Sequence, residues 1–348
     1  MLFIIFPVFL LLGLVVFPEK IKEETFFETT WYCSLETIKP FTPGNQTALS
    51  YDVIPFITAD KLGYIDKSGS LIMNLDRGSG SIICSDKWSV WNTPVSEKTI
   101  QLLSGEKLSI PQNEIPFFYG ERIFAVSSDT LTITEYDSEG KLLWKYMLPC
   151  HVSAFAANKT ITVLGFVNGD IIVLDNEGNE ISTTRVGGSR IEVILGLAIS
   201  DSGKYVAAIA GIDDQRLVVF ERGQKNYRVI KHKYLKSNFR NQVNIYITSD
   251  ESYILYKDMS GIGVFGITKN KDTLFSIPAD KFYIYEGSPL LGICLVSEFL
   301  QERTVHVVKM PDIILGKIKL PSNSTYFYLK EDTMFFDDGS GIAAISFK

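Results

Sequence analysis

Three histidines, His151, His232 and His306, and four cysteines, Cys33, Cys84, Cys150 and Cys294, are the side chains of this 348-residue chain best suited to nucleophilic or metal chemistry. A Ser or Cys nucleophile needs an activating base within hydrogen-bond reach. The nearest approach along the chain is Cys150 beside His151, and neighbours on a strand point to opposite faces. No Cys stands in a C-x-x-C or other zinc-ligand spacing, and four are too few for a disulfide scaffold. The thiols therefore read as packed core groups. Gly261, Gly263 and Gly266 spell a nominal G-x-G-x-x-G. A dinucleotide site needs that motif between a strand and a following helix, so that backbone amides point at the pyrophosphate; here the glycines fall inside an apolar strand. The sequence holds no phosphate-loop, H-E-x-x-H or G-x-S-x-G motif.

The aspartates Asp66, Asp137, Asp175, Asp201 and Asp258 are each followed two or three residues later by a glycine, Gly69, Gly140, Gly178, Gly203 and Gly261. Asp caps its own turn and Gly accepts positive φ, so these pairs read as turns. DNEGNE at Asp175 misses the alternating carboxylates of a calcium loop. No metal, no cofactor and no small-molecule substrate is indicated. A net charge of -6 and a pI near 5.3 exclude a protein built to clamp a phosphate backbone, so nucleic acid is not an expected partner.

One basic run stands out: Lys225, Arg228, Lys231, Lys233, Lys236 and Arg240, interleaved with Tyr227, Tyr234 and Phe239. It fits an edge strand made basic to discourage pairing with another chain. It also fits a surface for an anionic partner, lipid headgroups or an acidic protein.

The elements that must position these residues are short alternating strands, broken by Gly, Asp, Asn and Ser turns. YIDKSGSLIMN from Tyr64, FVNGDIIVLDNEG from Phe166, YKDMSGIGVFGI from Tyr256 and FDDGSGIAAISF from Phe336 share one pattern, an aromatic, a polar turn with Gly, and an apolar strand. Weaker copies start at Phe124, at Val206 and near Ser297, making seven units about forty residues apart. The longer first gap implies an insertion, residues 84–111, carrying Trp88 and Trp91. Tryptophan is enriched at binding hot spots, so the insertion is a candidate contact site; otherwise it is an additional hairpin packed on the first unit. A four-stranded sheet cannot bury both apolar faces alone, so the units must stack around an axis. The expected fold is all-β, a β-propeller of seven blades of four antiparallel strands. The last unit ends at the C-terminus one strand short, and residues 25–35 or 47–52 are expected to supply that strand and close the ring.

DSEGKLLWKYMLP from Asp137, with NGDIIVLDNEGNEI and SDSGKYVAAI, resembles the repeat of quinoprotein-like and WD-repeat-like propellers, in which a D-x-x-G-K turn leads into a strand with Trp. The resemblance implies the propeller fold over most of residues 51–348. The alcohol dehydrogenases of that group bind a calcium-held quinone beside an adjacent Cys pair, which this chain lacks. The chain also resembles a propeller lipoprotein of the outer-membrane assembly machinery, a non-catalytic scaffold, without its lipidated Cys.

Residues 1–17 (MLFIIFPVFLLLGLVVF) carry almost all of the chain's positive mean hydropathy of +0.12. Leu2, Phe3, Ile4, Ile5, Phe6, Val8, Phe9, Leu10, Leu11, Leu12, Leu14, Val15, Val16 and Phe17 form one apolar stretch, expected to be a helix. At about 1.5 Å per residue it reaches roughly 25 Å, short of the ~30 Å hydrocarbon core yet longer than most signal-peptide cores. No small-residue cleavage site follows it. Residues 1–18 are thus expected to be a transmembrane signal anchor or uncleaved signal peptide, residues 19–50 a linker with the ring-closing strand, and residues 51–348 the propeller. Lys20 and Lys22 favour a cytoplasmic body by the positive-inside rule, whereas short N-terminal apolar segments usually direct export. The expectation is an exported propeller on the periplasmic or extracytoplasmic side, with the cytoplasmic orientation left open. Function divides between a membrane-anchored interaction scaffold of the cell envelope with a protein partner, and a metal-dependent hydrolase or lactonase with ligands in the central channel.

Overall fold

In the computed structural model the described residues are 27–39, 53–77, 88–91, 98–102, 107–111, 113–120, 122–224, 226–287 and 293–347. Residues 2–17, expected to form the anchor and the N-terminal helix, lie outside them. The described residues form 30 strands in eight antiparallel sheets and contain no α-helix. Sheet 1 (53–76) and sheet 2 (88–110) have three strands each. Sheets 3 (114–147), 4 (152–185), 5 (194–234), 6 (245–275) and 7 (281–319) have four, and so does sheet 8, made of residues 327–347 and the strand Phe27–Ser34.

Burial follows position in the ring. Ile194–Ile199 and Tyr205–Ala210 are buried at all positions, because the inner half of a sheet is covered on both faces. The outer strand Glu180–Arg185 buries only Ser182 and keeps its charged ends in water. Apolar clusters join sheets 3 to 4, 4 to 5, 5 to 6, 6 to 7, 7 to 8, 8 to 1 and 2 to 3. Val163 and Val173 of sheet 4 packing with Ala208 and Val218 of sheet 5 are one example. The core is therefore a series of layers between sheets, and no sheet could keep its place without neighbours.

Sheet 8 takes its fourth strand from Phe27–Ser34, inside the first region expected to supply it. That strand pairs antiparallel with Gly341–Phe347, from Phe27 opposite Phe347 to Ser34 opposite Gly341. Trp31 Nε1 donates to the Lys67 carbonyl of sheet 1 at 2.9 Å, so the strand also ties sheet 8 to its neighbour. The Asp-x-x-Gly turns explain how outer strands register. Oδ1 of Asp66, Asp137 and Asp175 accepts backbone N–H bonds from two and four residues on. The glycines adopt positive φ and lie against the outer strand of the preceding sheet. A Cβ on Gly69 would meet the Trp31 indole at 2.7 Å, one on Gly178 the Trp144 indole at 2.8 Å, and one on Gly140 the Leu108 side chain at 3.4 Å.

The all-β propeller expectation is borne out, and the seven sequence units fall in seven different sheets. The interval read as an insertion holds sheet 2, three short strands in place of the expected hairpin on the first unit. Its Leu108 and Ile110 pack on Ile123, Ala125 and Tyr136 of sheet 3. This arrangement follows the turn spacing: the Asp66-to-Asp137 interval is roughly twice the Asp137-to-Asp175 interval, room for one more sheet.

Candidate functional site

The reactive side chains are scattered over several sheets. His151 follows Cys150 in the connection between sheets 3 and 4, where its Nδ1 lies 2.9 Å from Thr130 Oγ1. Cys33, Cys150 and Cys294 are free thiols, and burial pushes Cys294 up to about 12; Cys84 lies outside the described residues. One Ser–His contact escaped the sequence reading. Ser297 Oγ sits 3.1 Å from His306 Nε2 across the hairpin of sheet 7, where Ser297 opposes Thr304 and residue 306 lies on the diagonal. Ser297 is buried, and His306 Nδ1 has no acceptor among the described residues. Burial, followed by the Lys317 charge, holds this imidazole below its ordinary pKa. A base without an orienting group and a hydroxyl without access make a core contact. Gly261–Gly266 is a middle strand of sheet 6 with no helix after it.

The basic run occupies the outer strand of sheet 5, Tyr227–Tyr234, and the segment after it. Arg228 Nη2 donates to Glu221 at 2.9 Å, and this bond holds the Glu221 carboxyl below its ordinary value. Lys231 Nζ donates to Asn270 Oδ1 at 2.7 Å. Lys233 pairs with Asp272 at 2.9 Å and donates to the Tyr256 hydroxyl at 2.8 Å. Burial alone would lower the Lys233 pKa, but those two partners outweigh it and raise it. Much of the run is thus neutralised within sheets 5 and 6; Lys236 and Arg240 are exposed, and Lys225 lies outside the described residues. Trp88 and Trp91 bound one strand of sheet 2, and their side chains lie outside the description. Sheets 3 and 4 separate sheet 2 from sheet 5, so the two candidate contact regions are not one patch.

The first strands of sheets 4, 5, 6 and 7 line a central cavity of about 490 Å³ through Phe155, Gly196, Asn244, Tyr246, Tyr283 and their neighbours. A smaller recess of about 390 Å³ beside it holds Asn241, Lys257 and Asp280. Tyr246 has its phenol pushed above the ordinary range by burial and then by the carboxylates of Glu286 and Asp201. The channel wall is aromatic and amide-rich. Among the described residues no three His, Cys, Asp or Glu stand close enough to hold a metal ion.

Sheets layered face to face around a cavity, with the last sheet completed by the N-terminal strand, define a closed β-propeller. The chain belongs to the β-propeller protein family, whose model matches residues 1–348. An uncharacterized protein of Treponema pallidum is 22% identical over 227 residues, covering 65% of this chain and 60% of that relative's length. Among solved structures, BamB from Moraxella catarrhalis superposes with a TM-score of 0.59 at 14% identity, over 92% of this chain and 100% of BamB. KlAtg21, solved with the coiled coil of AgAtg16, gives 0.56 at 14% identity over 82% of this chain and 99% of that one. Hsv2p of Kluyveromyces lactis gives 0.54 at 10% identity over 78% and 96%. At these identities the likeness concerns the fold, and the repeat-level resemblance to quinoprotein-like and WD-repeat-like propellers stands with it.

Proposed function

We propose that this protein is a membrane-tethered, non-enzymatic β-propeller that serves as a protein-interaction scaffold in the cell envelope, with its ring on the exported side. The observation that carries the reading is the closing strand. Because Phe27–Ser34 is hydrogen-bonded into sheet 8, only residues 18–26 separate the apolar stretch 1–17 from the ring. Nine residues reach about 30 Å at most, so an anchor there holds the propeller against the bilayer surface. The dispersed reactive groups and the absence of a metal-ligand cluster among the described residues favour binding over catalysis. KlAtg21, which shares the fold, was solved with a coiled-coil partner, an example of the kind of work such a ring does. Fractionation of cells expressing the full chain tests the tether. The ring stays with membranes through carbonate extraction and is protected from protease added on the cytoplasmic side. Release by carbonate, or digestion from the cytoplasmic side, overturns the tether or its orientation respectively.

A further inference from the structure

Sheet 5 contains a buried cation with no counter-charge among the described residues. Arg216 opens the third strand of that sheet, Arg216–Arg222, and is only 4% exposed. Its Nη1 lies 3.3 Å from His232 Nε2, and its guanidinium carbon lies 5.5 Å from the centre of the Tyr234 ring. Its Nε and Nη2 have no protein acceptor among the described residues, and no carboxylate pairs with it. The contrast with Arg122 is direct, since that arginine, also buried at 9% exposure, meets Glu135 through both Nε and Nη2 at 2.6 Å. Burying a charge without a partner is costly, and arginine presents its Nε–Nη2 edge as a fork matched to the two oxygens of an oxyanion.

The carboxylates near the connection that covers that fork have other places: Glu192 Oε1 stands 3.6 Å from where a Gly187 Cβ would be and pairs with Arg185, and Asp213 pairs with Arg190 at 3.3 Å. The connection from sheet 4 runs Gly187, Gly188, Ser189, Arg190. Gly188 adopts φ +96 and lies so close to the guanidinium that a Cβ would sit 2.3 Å from Nη1. The hydroxyl of the next residue, Ser189, packed near Gly211, is a second buried polar group without a partner among the described residues. Gly187 and Gly188 are exposed on one side, and His232 and Tyr234, rings 4.9 Å apart, are exposed on the other. The guanidinium therefore lies one layer of movable side chain below solvent.

We propose that Arg216, with Ser189 and the Gly187–Gly188 backbone, forms an oxyanion-binding site, entered by displacement of the Tyr234 and His232 rings. The ligand group is a phosphate or a carboxylate, taken up on the Nε–Nη2 edge. The site stands whatever partner the propeller carries.

The test is calorimetric titration of the intact protein with inorganic phosphate, sulfate and acetate at constant ionic strength, with thermal unfolding in parallel. The expected result is one site per chain, with a rise in Tm that follows ligand occupancy. Binding falls about tenfold or more in Arg216→Met and more mildly in Ser189→Ala. Preference for phosphate and sulfate assigns the site to phosphoryl groups, and preference for acetate assigns it to carboxylates. Arg216→Lys keeps the charge without the fork and serves if Arg216→Met fails to fold; it too should bind weakly. No heat and no Tm shift with any of the three anions, or an equal response in the Arg216 variants, overturns the proposal.

Discussion

Arg122 and Glu135 show how this fold accommodates charge in its interior. Both are buried in sheet 3, joined by two 2.6 Å bonds, and Arg122 Nη1 also donates to the carbonyls of Asn158 and Ile161 in sheet 4 at 3.0 Å each. Every group in the pair is occupied, so removal of one partner strands the other. Glu135→Ala is expected to destabilise the protein by about 3–5 kcal/mol in urea unfolding, whereas Arg122→Met combined with Glu135→Leu recovers most of that loss. The turn aspartates govern the acid limit. Burial alone would raise the carboxyls of Asp66, Asp175 and Asp250, but hydrogen bonds from their own turns outweigh it and hold all three below the ordinary value. A depressed folded pKa contributes stability above the unfolded value near 3.9, lost as pH falls through the folded value. The urea midpoint is therefore expected to stay level from pH 7 to about pH 5 and to drop below about pH 4. A midpoint unchanged at pH 3 would contradict this assignment.

At the scale of elements, the closing strand and the Asp-x-x-Gly turns set which sheet meets which. Trp31 packs on Gly69 and Phe335 and donates to the Lys67 carbonyl, so Trp31→Ala is expected to cost about 2–4 kcal/mol, read by thermal or urea unfolding. Gly178→Ala forces a Cβ toward Trp144 at positive φ and is expected to cost about 1–2 kcal/mol in the same assay. The strand pattern and the turns were legible in the sequence because their causes are local: alternation for a half-covered strand, Asp and Gly for the turn. The need for a closing strand was also legible, since a ring that ends one strand short must borrow from elsewhere, but the sequence left residues 25–35 and 47–52 both open as its source and the structure uses Phe27–Ser34. Sheet 2 was less so, because Trp88–Trp91, Lys98–Leu102 and Lys107–Ile110 are short and carry no second Asp-x-x-Gly turn. The unpartnered Arg216 was invisible, since a missing counter-charge is a property of packing and leaves no spacing behind. The same holds for Ser297 and His306, nine residues apart along the chain and brought together by hairpin register.

The whole molecule is a ring whose layers depend on one another, with a channel free of any metal-ligand cluster among the described residues and an N-terminal strand woven into its last sheet. That weave couples the proposed tether to stability. Removal of residues 1–34 exposes the edge of Gly341–Phe347, and the shortened chain is expected to aggregate or to melt earlier, seen by size exclusion and calorimetry. Replacing only residues 2–17 with a soluble leader is expected to leave the ring intact and, on the proposed tether, to release it from membranes.

The central claim is that this ring works by holding a protein partner at the membrane. Cross-linking the full-length protein in its native membranes, followed by identification of what is attached, tests it most directly. The account predicts a stoichiometric envelope protein, recovered with the tethered ring and lost when residues 2–17 are replaced. A folded, membrane-bound ring recovered alone would contradict it.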